Sequence, residues 1–441
     1  MVSVVVVGGG YGGMAAAARL ARLGHRVTLL EASDRLGGAL GTVQQDAFTW
    51  ESGPTHTLLP AVARDLFRTS GRPLDRELDL VPVSPVRRHR FDDGTVLDLP
   101  VGRAEQLHAV GDALGERQGR AWVEYVDGFA AVWEVLRPDL FERPWSPDHA
   151  GRGAHALLES RQSQHRTVRR TFRDERLRQL AEHASVLGGH APRDVPAWLG
   201  VWSYVEQKFG AWTVTGGLHR LGEALADRLA TRGVAVHTGT EVRDLVVQAG
   251  RVVAVATAQG PVDADRVVVA VDPRRLPALA PYVDRTMPAI PPVVAHLGIV
   301  GEVPDLPGEV VLHGRPTLVL RTTGTAPAGA HAWTVMARGR IDEDIVTALY
   351  RAGVKVRDQV EVRVDLSPRE LVEQWRGSPH GVLWQGRRTF ERMLGPGTPV
   401  EGVFVAGAHA RTGAGLPAVG LSAALVAQQV GPAEGRRPSR P

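Results

Sequence analysis

Residues 2–38 read VSVVVVGGGYGGMAAAARLARLGHRVTLLEASDRLGG, and the order of residue types in this stretch decides the fold. Val2 to Val7 is a short, almost wholly apolar and β-branched run, the pattern of a parallel strand buried on both faces. Gly8, Gly10 and Gly13 follow in G-x-G-x-x-G spacing, with Gly12 among them. In that spacing the first glycine permits a tight turn, the second lets a pyrophosphate approach the backbone, and the third lets a helix pack closely on the strand. Ala15 to Leu23 is rich in helix formers, and the start of such a helix offers free N–H groups and partial positive charge to an anion. Gly24 ends it, Val27 to Leu30 reads as a second strand, and Glu31 is an acid about 20 residues past the turn, placed to accept from ribose hydroxyls. An adenosine diphosphate moiety fits such a strand, glycine turn, helix and strand.

Ala32, Arg35, Gly37 and Gly38 follow at once. With them the segment resembles the FAD-binding segment of the flavin amine oxidase and phytoene desaturase superfamily, where a second GG element contacts the diphosphate. That family usually continues its GG with Arg, and this chain has Ala39. Phe48 to Pro60, FTWESGPTHTLLP, resembles the family's D-x-G-P-x segment beneath the flavin ring, with Glu51 for the usual Asp and Gly53 and Pro54 in the turn. A Gly-Pro turn ahead of a helix is the plain alternative. Gly210 to Gly217, GAWTVTGG, resembles the G-x-W-x-x-x-G-G segment, which implies Trp212 and Gly216 at the junction with a substrate cavity and Val242 near the adenosine. Near the end, a strand Val403 to Ala406 precedes GAHARTGAGLP at 407–417 and a helix Ala418 to Val430. That run resembles the desaturase branch more than the amine oxidase branch, which prefers an acid where Ala408 stands. The resemblance implies that Gly407, Ala408, Gly415, Leu416 and Pro417 contact the flavin, and free N–H groups at the helix start would stabilise negative charge on its reduced form. His409 reads as a proton acceptor facing the ring or as a hydrogen-bonding loop residue. Arg411 reads as a group holding the flavin or a proton acceptor, or as an ordinary surface contact.

The fold class implied is α/β: a Rossmann-type FAD-binding domain from discontinuous segments 1–75, 210–275 and 395–431, with an α+β substrate domain from 76–209 and 276–394. The substrate domain is expected to hold a mixed or antiparallel sheet and a helical insertion. Its strand-like runs are Leu80 to Val83, Val86 to Phe91, Thr95 to Leu99, Val293 to Val300, Glu309 to His313, Thr317 to Thr322, Trp333 to Arg338 and Gln359 to Asp365, and one face of such a sheet can floor a cavity. Helical patterns run around 103–137 and 154–190. Trp122, Tyr125, Phe129 and Trp133, at spacings of three and four, share one helix face, as core or as the wall of a substrate tunnel. Residues 432–441, rich in Pro, Gly and Arg, read as a disordered tail.

The bulk properties narrow the function. At 441 residues the chain suits two domains, and 43% hydrophobic with 23% charged residues is a globular composition. No run approaches the roughly 18–20 apolar residues of a membrane span, and the opening valine run lacks a basic flank, so the reading is cytoplasmic. The net charge of +4 is spread, with 48 acids among 52 basic residues of which only Lys208 and Lys355 are lysine, a composition bias and no nucleic-acid face. Arg166 to Arg178 reads as a solvated helix face or as a site for anionic lipid or phosphate. Without cysteine there is no disulfide, thiolate metal site or cysteinyl flavin link, so FAD is expected to be noncovalent. No metal-ligand spacing, serine triad, P-loop or second glycine fingerprint occurs, so no metal is expected, and electrons would leave to oxygen or a quinone. The expected reaction is dehydrogenation of an apolar polyene or isoprenoid, with peripheral membrane contact through apolar residues of the helical insertion. An amine or porphyrinogen oxidase and a non-catalytic prenyl-binding protein of the same fold are the alternatives.

Overall fold

The computed structural model describes residues 2–433. Its organising layer is a five-stranded parallel sheet in the order Ala235–His237, Arg26–Leu30, Ser3–Val7, Arg266–Val269, Val403–Val405. Three distant parts of the chain thus supply one sheet, whose β-branched strands are buried on both faces. The helix after the glycine turn runs Tyr11–Arg22, four residues earlier than its composition suggests. Gly12 and Gly13 lie in its first turn, where close packing outweighs their poor helix propensity. It packs against His219–Thr231 and Leu416–Val430 in a core of small residues that includes Ala15, Ala16, Ala17, Ala18 and Ala423.

A seven-stranded sheet joins both segments expected to cover the site, in the order Val360–Leu366, Val293–Val300, Ala330–Arg338, Thr317–Arg321, Glu309–Leu312, Arg87–Arg90, Val96–Leu99. Neighbours are antiparallel except Glu309–Leu312 with Arg87–Arg90, so the sheet is mixed. Leu80–Val83 does not join it. That strand pairs with Ala211–Val214, which also pairs with Thr57–Leu58, so this small sheet ties segments across the expected boundaries at 75 and 210.

The two long helical patterns are broken into shorter pieces. Arg103–Leu114, Glu116–Asp127 and Phe129–Leu136 are separated at Gly115 and Gly128, and Gly115 has φ +104°, a conformation other residues rarely adopt. Trp122, Tyr125, Phe129 and Trp133 are all buried in the core these helices share, which makes them core and not a tunnel wall. In the arginine-rich region Arg176 pairs with Asp174 and Arg178 with Glu175, at 2.7 and 2.8 Å. The start of the expected tail is docked, since the Ala433 N–H donates to the Leu23 carbonyl at 3.0 Å. Residues 434–441 of that tail lie outside the described residues.

Candidate functional site

One cavity of about 670 Å³ runs between the parallel sheet and the seven-stranded sheet. That volume is in the range of roughly 300–1,000 Å³ occupied by small-molecule sites. Gly8, Gly10 and Gly12 line one end, and Gly407, Ala408, Gly415 and Leu416 line the same wall from the far end of the sequence. The two glycine turns touch: a Cβ on Gly12 would meet the Gly407 Cα at 2.8 Å. Helix Tyr11–Arg22 begins at Gly10, and helix Leu416–Val430 at Gly415. Neither start has a side-chain cap or an acid in its first turn, so two sets of unsatisfied N–H groups share the cavity. The second turn is held by Ser422, whose hydroxyl accepts the Gly407 N–H at 2.8 Å and donates to the Val419 carbonyl at 2.6 Å.

The acid expected to meet a ribose also lies on this wall. Glu31 accepts from the Gly9 N–H at 2.5 Å and from the Ser33 N–H and hydroxyl, which fixes its carboxylate beside the glycine turn. Ala32, Arg35, Gly37, Gly38 and Val242 line the same end. Opposite, Gly53 and Pro54 face the cavity, with Gly53 pressed so closely on Ala39 that a Cβ would lie 2.1 Å from the Ala39 carbonyl oxygen. Glu51 is buried and accepts from the Leu218 and His219 N–H groups, at 2.5 and 3.1 Å, capping helix His219–Thr231 from outside. Burial raises its carboxyl pKa and those two N–H groups oppose the shift.

Several expected placements are corrected. Gly13 lies off the cavity, and its role is packing: a Cβ there would stand 1.9 Å from the Gly8 carbonyl oxygen. Pro417 is buried at the start of its helix and does not line the cavity, because its fixed φ suits that first turn and its ring points to the core. Trp212 and Gly216 also lie away from it. The Trp212 indole donates to the Phe209 carbonyl at 2.8 Å under the Arg64 guanidinium, on a strand used up in pairing, and Gly216 turns beside Arg220. Arg411 points elsewhere too, donating to the Met393 carbonyl at 2.8 Å and stacking over Phe390.

His409 does line the cavity, 3.6 Å from buried Asp272, which is itself bridged by Arg274. Burial pushes the imidazole down to about 4 despite Asp272, so it is neutral near pH 7 and a weak proton acceptor. The sequence led to a sheet able to floor a cavity but not to the side chains of the opposite wall. Val294, His296, Thr334, Met336 and Arg321 project into the cavity from three neighbouring strands, with Leu187, Leu371 and Trp375 around them. Polar residues inside otherwise apolar strand runs were the available signal, but their juxtaposition depends on register between strands distant in sequence.

No group of three or more His, Cys, Asp or Glu side chains able to hold a metal occurs among the described residues. No helix among them is long and apolar enough to cross a membrane.

Residues 11–431 match the family model described as flavin containing amine oxidoreductase. The chain is 31% identical to a hydroxyneurosporene desaturase of Cereibacter sphaeroides, over 97% of each chain. It is 28% identical to a phytoene dehydrogenase of Streptomyces griseus, covering 99% of this chain and 96% of that one. Among solved structures it is similar in fold to a putrescine oxidase triple mutant, at 16% identity and TM-score 0.71 with 97% and 98% covered. A cyclohexylamine oxidase from Brevibacterium oxydans gives 18% identity and TM-score 0.64, with 97% and 99% covered.

Proposed function

The chain belongs to the flavin containing amine oxidoreductase family, and on that premise we propose that it binds FAD noncovalently and dehydrogenates an apolar polyene or isoprenoid. The observation that carries this reading is the meeting of two uncapped helix starts, Gly10–Tyr11 and Gly415–Leu416, on one cavity. The donor set fits a flavin dinucleotide. A Cβ on Gly10 would meet nothing within 4 Å, so the backbone there is open to a phosphate. Glu31 stands where a ribose would lie, and Gly53 and Pro54 face the second helix start across the space that a flat ring would fill. When bound, a flavin supplies a hydride acceptor at N5 for an allylic C–H.

The protein's own part is binding, orientation and exclusion of water. The Tyr11 helix start and Arg35 would hold the diphosphate, and the Leu416 helix start would offer N–H groups to negative charge on the reduced ring. Leu187, Val294, Met336, Leu371 and Trp375 give the substrate an apolar wall, as a polyene with few polar groups requires. The amine reading lacks comparable support. Each carboxylate on the cavity already has a partner, Glu31 the Gly9 and Ser33 N–H groups, Glu51 a helix start, Asp272 the Arg274 guanidinium and Glu241 that of Arg376 at 3.5 Å, so an ammonium group would meet none without one.

The cavity mouth supports peripheral contact with a membrane at a different place from the helical insertion. Met287 and Ile290 are large exposed apolar side chains that shortly precede Pro291 and Pro292 of the lining along the chain, and no large exposed apolar side chain among the described residues falls in 103–209. Oxygen or a quinone would then take the electrons, since the chain offers no second dinucleotide fingerprint.

The test is spectroscopic. Purified protein is expected to be yellow, to release intact FAD on acid precipitation, and to bleach without oxygen when mixed with an acyclic polyene but not with a primary amine. Bleaching by the amine alone would reverse the substrate assignment. Colourless protein that takes up no added FAD would instead leave a prenyl-binding role.

A further inference from the structure

The cavity floor carries a polar row that a plain hydrocarbon would not need. His296, Thr334, Arg321 and Glu309 are direct cross-strand partners on four successive strands, each opposite the next. Two residues along on the same face, Val294, Met336, Val319 and Val311 form a wholly apolar row, packed with Leu371. The period of two puts both rows on one face of the sheet, and where they line the cavity, at Val294 and Met336 and at His296, Thr334 and Arg321, the floor changes from oily to polar over a single step.

The polar row has internal partners, but not enough of them. His296 Nδ1 and the Thr334 hydroxyl bond to each other at 2.9 Å, and both residues are more than nine-tenths buried. Trp50 lies against the imidazole at 5.6 Å between ring centres and holds its plane. Nε2 of His296 has no protein partner among the described residues, and the side chain lines the cavity. Arg321 gives Nε to Glu309 at 3.0 Å and Nη1 to the Gly53 carbonyl at 2.7 Å, which leaves Nη2 uncommitted. Burying such groups is costly unless whatever fills the cavity satisfies them. Because Arg321 touches the Gly53–Pro54 turn, the row lies at the turn assigned above to the ring.

We propose, resting on the polyene reading above, that His296, Thr334 and Arg321 recognise a hydroxyl carried by the substrate near the bond that is dehydrogenated. The preferred substrate is then an oxygenated polyene, its hydroxyl bonded to His296 Nε2 within reach of Arg321, and its hydrocarbon body along Val294, Met336 and Leu371. Burial holds the His296 imidazole down to about 4, which makes it a hydrogen-bonding partner and not a base that removes a proton. A site built to bond a hydroxyl discriminates against the analogue that lacks it, because the buried polar groups are then left unpaired.

The experiment compares kcat/KM for an acyclic polyene bearing a terminal hydroxyl and for the same polyene without it, in the wild-type holoenzyme, His296→Leu and Thr334→Val. Flavin content is measured alongside as the check on folding. The wild type is expected to favour the hydroxylated compound by about tenfold or more. His296→Leu brings the ratio near one mainly through loss on the hydroxylated compound, and Thr334→Val, which frees the imidazole to turn, reduces it in part. If His296→Leu fails to retain flavin, Thr334→Val carries the comparison. Equal turnover of both compounds by the wild type, or a ratio unchanged in the variants, overturns this inference and leaves the polyene reading intact. Turnover of neither compound overturns both.

Discussion

Gly10 and Gly13 are alike in the sequence and opposite in the fold. A Cβ on Gly13 would collide with the Gly8 carbonyl oxygen, whereas one on Gly10 would project into open space. Gly13→Ala therefore displaces helix from strand, an overpacking cost of about 1–3 kcal/mol in unfolding of the flavin-free protein. Gly10→Ala is expected to leave that stability unchanged and to weaken flavin binding by about tenfold or more, the cost of a methyl group in the path of the diphosphate. Urea unfolding and flavin titration separate the two, and the reverse pattern would contradict the assignment of roles. The spacing of the glycines was enough to expect the close packing at Gly13. It was not enough to orient His409 and Arg411, two residues apart on one loop. The Met393 carbonyl and the Phe390 ring turn Arg411 from the cavity, and neither pairing is visible in one dimension.

At the scale of elements, both helices were legible because glycine spacing and helix composition are local signals, although each begins a few residues before its composition suggests. What holds the second start in place was not legible. Ser422 lies nearly two helical turns inside Leu416–Val430, 2% exposed, and its hydroxyl is the partner of the Gly407 N–H. Ser422→Ala leaves that N–H buried without a partner, at a cost of about 1–3 kcal/mol. Denaturant unfolding should show this loss together with faster flavin release, and a variant with wild-type stability would show that the turn is held otherwise. The strands of the large sheet were likewise legible singly, from alternation and β-branched runs, but their order was not. Trp212 shows the limit. Its motif implied a place at the junction with the substrate cavity, but the strand that carries it spends both edges on Thr57–Leu58 and Leu80–Val83, which keeps the indole off the cavity.

Across the whole molecule, the distribution of buried histidines sets the response to acid. Burial pushes His183 and His380 down to about 3, and His190, His296, His313 and His409 down to about 4. In the unfolded chain each would titrate near 6.5. Above that pH neither state binds the proton and these groups leave stability unchanged. As pH falls below it the unfolded state takes up protons that the folded state refuses, so stability is lost progressively from about pH 6.5 toward pH 4. The melting temperature is expected to be level above about pH 7 and to fall steeply through that window, before most carboxylates are protonated. A melting temperature constant from pH 7 to pH 5 would show that these imidazoles are solvated.

At this scale the sequence made the discontinuous assembly readable through its glycine turns, while the interlocking of Leu80–Val83 with Ala211–Val214 was hidden, because two short strands carry no mark of their partner. The central claim is that the two ends of the polypeptide close on one prosthetic group. A crystal structure of the purified, coloured protein tests it most directly. It should show a flavin dinucleotide with its diphosphate on Gly8–Gly12 and its ring between Gly53–Pro54 and Gly415–Leu416. A flavin bound elsewhere, or a different ligand filling this cavity, would contradict it.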